Sequence, residues 1–258
     1  MKNSIPPAQS LDFPRAELLV TPQADNASGP AKLVPRRSVI AFPPLGVRHF
    51  LFGIFVAALS ACSSAPPPPD WQMGAKSSLE QATEAWLRGD SKIEAVEFAR
   101  ARAEVASTGQ PGLVARVELV RCATRVASLD TAPCLGFEAL AADAAAPELA
   151  YSRYLAGKAL ADDVALLPEA HRAVARSGAA LKGVEDPLAQ LVAAGVLMRR
   201  GEATPETVQL ALDTASKRGW RRPLLAWLRV AQERAQASGA ADEVARLQRR
   251  IDLLSSVP

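Results

Sequence analysis

Between Arg221 and the carboxyl terminus the apolar residues fall at helical spacing. Leu224, Leu228, Ala231 and Ala235 recur at i, i+4, i+7 and i+11, and Val244, Leu247, Ile251 and Leu254 at i, i+3, i+7 and i+10. Each set lines one face of a helix. Between them Ala237-Ser238-Gly239 puts glycine where a helix ends, which predicts that the two helices fold back as an antiparallel pair. The design recurs earlier: Leu79, Ala82 and Trp86 lead to Gly89-Asp90, after which Ile93, Val96, Ala99 and Ala103 carry a second apolar face toward Gly109. Leu113, Val117 and Val120 begin a third helix after Pro111. Pro133, Pro147, Pro168, Pro187, Pro205 and Pro223 stand near expected helix starts, where a missing amide hydrogen does little harm. Gly157, Gly201 and Gly219 mark expected ends, and Lys158 to Lys182 is the least regular stretch.

Counted from the first helix of each pair, starts fall near Ala75, Pro111, Ala146, Asp186 and Arg221, a spacing of about 35 to 40 residues that suggests a helical repeat array. Richness in Ala, Leu, Arg and Glu, with few aromatic residues, favours helix over sheet. Residues 79 to 102 resemble tetratricopeptide-type repeats: Ala82, Trp86, Gly89-Asp90 and Ala95 sit almost where such repeats place small, aromatic, turn and small residues. The match is degenerate, because Ala95 arrives one place late and Val244 stands where the repeat prefers alanine. The expectation is an all-α domain over 71–258, about ten helices in antiparallel pairs stacked as a tetratricopeptide-like right-handed solenoid. An irregular helical bundle with similar helix lengths is the alternative.

The amino-terminal part has a different pattern. An apolar run from Phe50 to Ala61 follows Arg48 and His49 and closes on Leu59-Ser60-Ala61-Cys62. A positive flank, an apolar core too short to span a bilayer and small residues at the end form a secretory signal. Leu59-Ser60-Ala61-Cys62 resembles the lipobox of bacterial lipoproteins. The resemblance implies cleavage between Ala61 and Cys62 and acylation of Cys62, hence stable membrane attachment through acyl chains. By the sorting preference of proteobacterial lipoproteins, Ser63 implies the outer membrane, with the domain facing the periplasm. Ser63 to Asp70 contains four consecutive prolines and reads as an extended tether, able to lift a domain roughly 25 Å off the lipid. The expected organisation is therefore 1–46 a disordered extension or a segment ahead of the true translation start near Val47, 47–61 the signal, 62–70 the lipidated Cys and tether, and 71–258 the helical domain.

Charge follows that division. Six of the 30 Lys and Arg residues and three of the 27 Asp and Glu residues precede Cys62, so the chain from Cys62 onward carries 24 of each. The whole-chain charge of +3 belongs to residues 1–61, expected to be absent from the mature chain, and it supports no nucleic-acid partner.

After export Cys62 is committed to lipid, which leaves Cys122 and Cys134 as an even pair in an oxidising compartment. A disulfide between them would staple a helix hairpin, with two buried thiols as the alternative. A third helix running to Leu129 would hold Cys122 about 10 Å from its end, too far for the usual Cα separation unless the helix stops early. No zinc site is expected from this pair, and no metal or cofactor elsewhere.

No catalytic set stands out. His171 is the single histidine after Cys62 and reads as a solvated helix residue. Asp162-Asp163, Glu185-Asp186 and Asp242-Glu243 are sequence neighbours whose side chains diverge on a helix, and they read as solvated faces or helix amino-terminal charge. Gly178 and Gly183 have phosphate-loop spacing, but Val184 and Glu185 replace the required Lys-Ser/Thr. One cluster could bind an anionic partner: Lys217, Arg218, Trp220, Arg221 and Arg222 place four cations and an indole on one turn. The competing account is that basic residues favour helix carboxyl ends and Trp220 anchors packing. The function expected is a non-enzymatic, membrane-anchored scaffold that binds an envelope protein through a helical surface. The alternative is a peptidoglycan-binding or peptidoglycan-processing helical module.

Overall fold

Most helices in this protein begin where the chain supplies a cap or a proline. In the computed structural model, which describes residues 68–256, the helices are α1 (Asp70–Arg88), α2 (Ser91–Ala106), α3 (Pro111–Ala127), α4 (Leu135–Glu138), α5 (Ala146–Leu155), α6 (Glu169–Arg176), α7 (Pro187–Arg199), α8 (Pro205–Arg218), α9 (Arg221–Ala237) and α10 (Ala241–Ser255). Short 3-10 helices cover Ala141–Asp143, Ala161–Leu166 and Gly178–Gly183, and no strand occurs among the described residues. The fold is all-helical. The signal segment, Cys62 and most of the tether lie outside the described residues.

The Asp90 carboxylate accepts from the amides of Lys92 and Ile93 at 3.1 and 3.0 Å and starts α2. Asp186 caps α7 through the Ala189 amide at 2.7 Å, and the Thr204 hydroxyl caps α8 through the Thr207 amide. Proline occupies the first turn of α3, α5, α7 and α8. At the other ends, Gly89 (φ 100°) and Gly219 (φ 66°) take the left-handed conformation that closes α1 and α8. These signals explain why α3, α5, α7 and α9 begin within a residue of the starts that spacing predicts.

Helix α3 is the centre. It packs against α1, α2, α4, α5 and α7, and most of its residues are buried. Against it α7 is buried all round from Leu188 to Leu197. The two helices cross closely at Gly195, where a Cβ would lie 2.3 Å from the Val126 carbonyl oxygen. The main core runs from α3 through α5 and α7 to α9, with Tyr151, Leu191, Trp227 and Leu228 fully enclosed. A smaller one joins α1, α2 and the outer side of α3 through Leu79, Phe98, Val105 and Val117. Hairpins α1–α2 and α9–α10 follow the expected antiparallel plan. In a linear array each pair meets only its neighbours; here α1 also packs against α9.

Three expectations change. Helix α2 turns Ile93, Val96, Ala99 and Ala103 to solvent, with Ile93 52% and Val96 58% exposed. Its buried face is Phe98, Ala101 and Val105, flanked by Glu94 and Glu97. Both sets have helical spacing. The inner one brings the Phe98 ring under the Arg121 guanidinium at 4.2 Å, while Arg121 Nε and Nη2 donate to the Glu94 carboxylate. Secondly, Asp163 is buried and receives both an Arg153 ion pair and the Leu160 amide, so it is no solvated face. Thirdly, His171 is fully buried, because the irregular segments on either side of α6 fold its inner face against Tyr151 and Tyr154.

Cys122 and Cys134 are bonded, with their Cα atoms 5.8 Å apart. Helix α3 stops at Ala127. The Arg125 carbonyl then accepts from both Ser128 and Asp130 amides around Leu129 (φ 58°), and the chain doubles back to set Cys134 beside Cys122.

Candidate functional site

One outer face of α1 carries Lys76, Leu79, Glu80, Thr83, Glu84, Leu87 and Arg88, residues spaced so that they share a side of the helix. Facing it are the first turn of α7 (Asp186, Pro187, Leu188), the last turn of α8 (Lys217, Arg218) and Trp220 in the α8–α9 link, with Val120 of α3 beneath. Together they enclose a cleft of about 640 Å³, within the range of clefts that bind small molecules or single peptide anchors. Its floor is apolar and well packed, since Leu79, Leu87, Val120, Leu188 and Trp220 are all buried.

The rim is charged, and part of that charge is already engaged. Glu84 accepts Arg88 Nε on Oε1 at 2.7 Å and the Trp220 indole Nε1 on Oε2 at 3.1 Å. Asp186 is held by the Ala189 amide. The Arg218 guanidinium stands over the Trp220 ring, 5.2 Å from its centroid. Lys217 and Arg218 are exposed, and Lys76 is half-buried.

The predicted cationic cluster is therefore divided. Lys217, Arg218 and Trp220 line the cleft, whereas Arg221 lies against Gly89 and Arg222 is used inside the protein. Arg222 Nε donates to the Trp86 carbonyl oxygen at 2.7 Å, Nη2 donates to Ser91 Oγ at 2.8 Å, and the guanidinium stacks on the Trp86 ring. Burial lowers its pKa from the ordinary arginine value. The α1 half of the cleft was not foreseen, although Lys76, Glu80, Thr83, Leu87 and their neighbours show a mixed polar and apolar face. Nothing local says that this face will meet α7 and α8. Ala61 and Cys62, the expected cleavage and lipidation residues, fall outside the described residues.

A second polar cluster lies in the core. Tyr154 and His171 are linked through the phenol oxygen and Nδ1 at 3.2 Å, and the Tyr151 ring packs 5.6 Å from the imidazole. Burial pushes the His171 pKa down to about 3 and both phenols above their ordinary value. His171 is thus neutral at physiological pH and sealed from solvent, a packing group with one satisfied ring nitrogen. Among the described residues no group of three or more His, Cys, Asp or Glu side chains could hold a metal ion, and no helix is long and apolar enough to cross a membrane.

Compared with family models, curated proteins and solved structures, the chain finds no match, so residues and geometry alone carry the functional reading.

Proposed function

We propose that this protein is a lipid-anchored envelope lipoprotein, tethered through Cys62 to the outer membrane and facing the periplasm, that acts as a non-catalytic scaffold. Its partner is another envelope protein, a segment of which occupies the cleft between α1 and the α7–α9 region. The cleft is the observation that carries this reading: an apolar floor open to solvent, rimmed by long charged side chains, is built to take a side chain or two of a protein segment. In this reading the helix pairs stack in the manner of a strongly curved tetratricopeptide-like right-handed solenoid, with the cleft on its concave side. The bonded Cys122 and Cys134 support an oxidising compartment, because such pairs persist outside the reducing cytosol.

The test is expression from Met1 in a Gram-negative host with a photo-crosslinking amino acid at Thr83, in the α1 wall. After irradiation of intact cells, the membrane fraction is analysed by mass spectrometry. A mature chain beginning at acylated Cys62, crosslinked to one dominant envelope protein, is the expected result. A soluble product that keeps residues 1 to 61 removes the anchor, and Thr83 crosslinks only to glycan fragments would replace the scaffold reading with a wall-binding one.

A further inference from the structure

We infer that the cleft takes an acidic amphipathic segment, one that presents carboxylates beside at least one bulky apolar side chain. The inference rests on the cleft reading above and fixes the chemistry of its occupant. Lys76, Lys217 and Arg218 stand around the opening and take part in none of the ion pairs among the described residues. Of the three carboxylates on the same walls, Glu84 is occupied by Arg88 and the Trp220 indole, and Asp186 by the start of α7. Glu80 alone is uncommitted. Setting aside the Glu84–Arg88 pair, an entering group therefore meets three cations against the carboxylates of Glu80 and Asp186, the latter already accepting from an amide, over a floor that gains only from apolar contact.

Other occupants fit less well. A free phosphate or carboxylate would satisfy the cations but leave the buried apolar floor uncovered in a space many times its size. A basic segment would set like charges against Lys76, Lys217 and Arg218. An acyl chain would cover the floor but leave Lys76, Lys217 and Arg218 without a counter-charge and the Thr83 hydroxyl without a partner, all of which an acidic peptide can supply. Arg218, held over the Trp220 ring at the cleft wall, carries a guanidinium, the group best suited to pair a carboxylate through two parallel hydrogen bonds.

The full-length protein in detergent micelles is panned with a random 12-residue peptide library displayed on phage, with counter-selection on the K217E/R218E variant. The reversed charges oppose the carboxyl end of α8, so K76E on α1 serves as an independent second variant, and thermal melting reports folding of each. The expected outcome is enrichment of peptides combining Asp or Glu with Leu, Ile, Phe or Trp. Their binding should weaken about tenfold or more in each variant and fall steeply as sodium chloride rises. Recovery of basic or uncharged peptides, indifference to both variants, or saturable binding of laurate in place of any acidic peptide overturns the inference. Should Thr83 crosslink a partner whose bound segment lacks carboxylates, the scaffold reading survives and this inference does not. Should neither peptide nor partner protein engage the cleft, both fall.

Discussion

The guanidinium of Arg222 sits 3.8 Å from the centroid of the Trp86 indole while its Nε donates to the carbonyl oxygen of the same residue at 2.7 Å. One side chain in the first turn of α9 thereby grips both the ring and the backbone at the end of α1, across 136 residues of sequence. Arg125 approaches the same ring at 4.6 Å. Because the contact is part-buried and charge-assisted, Arg222→Ala should cost about 2 to 4 kcal/mol of stability. Arg222→Lys should recover little, since an ammonium cannot stack and donate in the same fork. Chemical denaturation of both variants checks this, with exposed Lys217→Ala, expected within about 0.5 kcal/mol of wild type, as the control.

The α3–α7 crossing is set by the absence of a side chain. A methyl group at Gly195 would meet the Val126 carbonyl oxygen at 2.3 Å and the Val126 side chain at 2.9 Å, and backbone cannot step aside as a flexible side chain can. Gly195→Ala should destabilise by at least ~2 kcal/mol although alanine is the better helix former. A thermal melt that is unchanged or raised would show that the helices can slide apart.

Stability should fall in acid through His171. Its folded pKa of about 3 lies below its ordinary 6.5, so between those values the unfolded chain binds a proton that the folded one excludes. Stability from this group is therefore complete above about pH 6.5 and is lost as pH drops toward 3, with a slope of up to about 1.4 kcal/mol per pH unit. Asp163, held down to about 2 chiefly by Arg153, adds its own loss only below its ordinary value of 3.8. Denaturation midpoints from pH 7 to 4.5 should flatten in His171→Phe, which removes the titrating ring.

The Cys122–Cys134 bond closes a short loop, 12 residues in sequence separation. Reduction, or Cys134→Ala, should lower stability by about 2 to 3 kcal/mol in the chain-entropy account. Far-ultraviolet circular dichroism of the reduced protein at low temperature should remain helical, because Cys122 and Cys134 are two members of a large core from α3 to α9 whose other contacts do not depend on the bond.

Helix α2 offers the sharpest contrast between pattern and fold. Ile93→Ser and Val96→Ser should each change stability by less than about 0.5 kcal/mol, since both side chains are more than half exposed. Phe98→Ala, two residues beyond Val96, should cost about 3 to 4 kcal/mol. Equal losses at all three sites would mean that the outer face of α2 is covered.

Local chemistry determined the elements. Prolines, Asp and Thr caps and left-handed glycines fix where helices start and stop, because each acts on backbone groups within a few residues of itself. The apolar faces of α9 and α10 were legible for the same reason: Leu224, Leu228, Leu247 and Ile251 each form part of a single stripe with polar residues opposite. Helix α2 was not, because two apolar stripes compete on it. Only the position of α1 and α3, with Arg121 ready to neutralise Glu94, decides which is buried. The same holds for the cleft. The Lys217 to Arg222 cluster is visible as a run of charge, but its division into cleft-lining Lys217 and Arg218 and core-anchoring Arg222 follows from α9 meeting α1. Burial of His171 and Asp163 likewise depends on partners supplied by α5. Sequence pattern sets what a residue can do on its own helix; which charge is spent inside and which is left for a partner is decided by contacts between segments far apart in the chain.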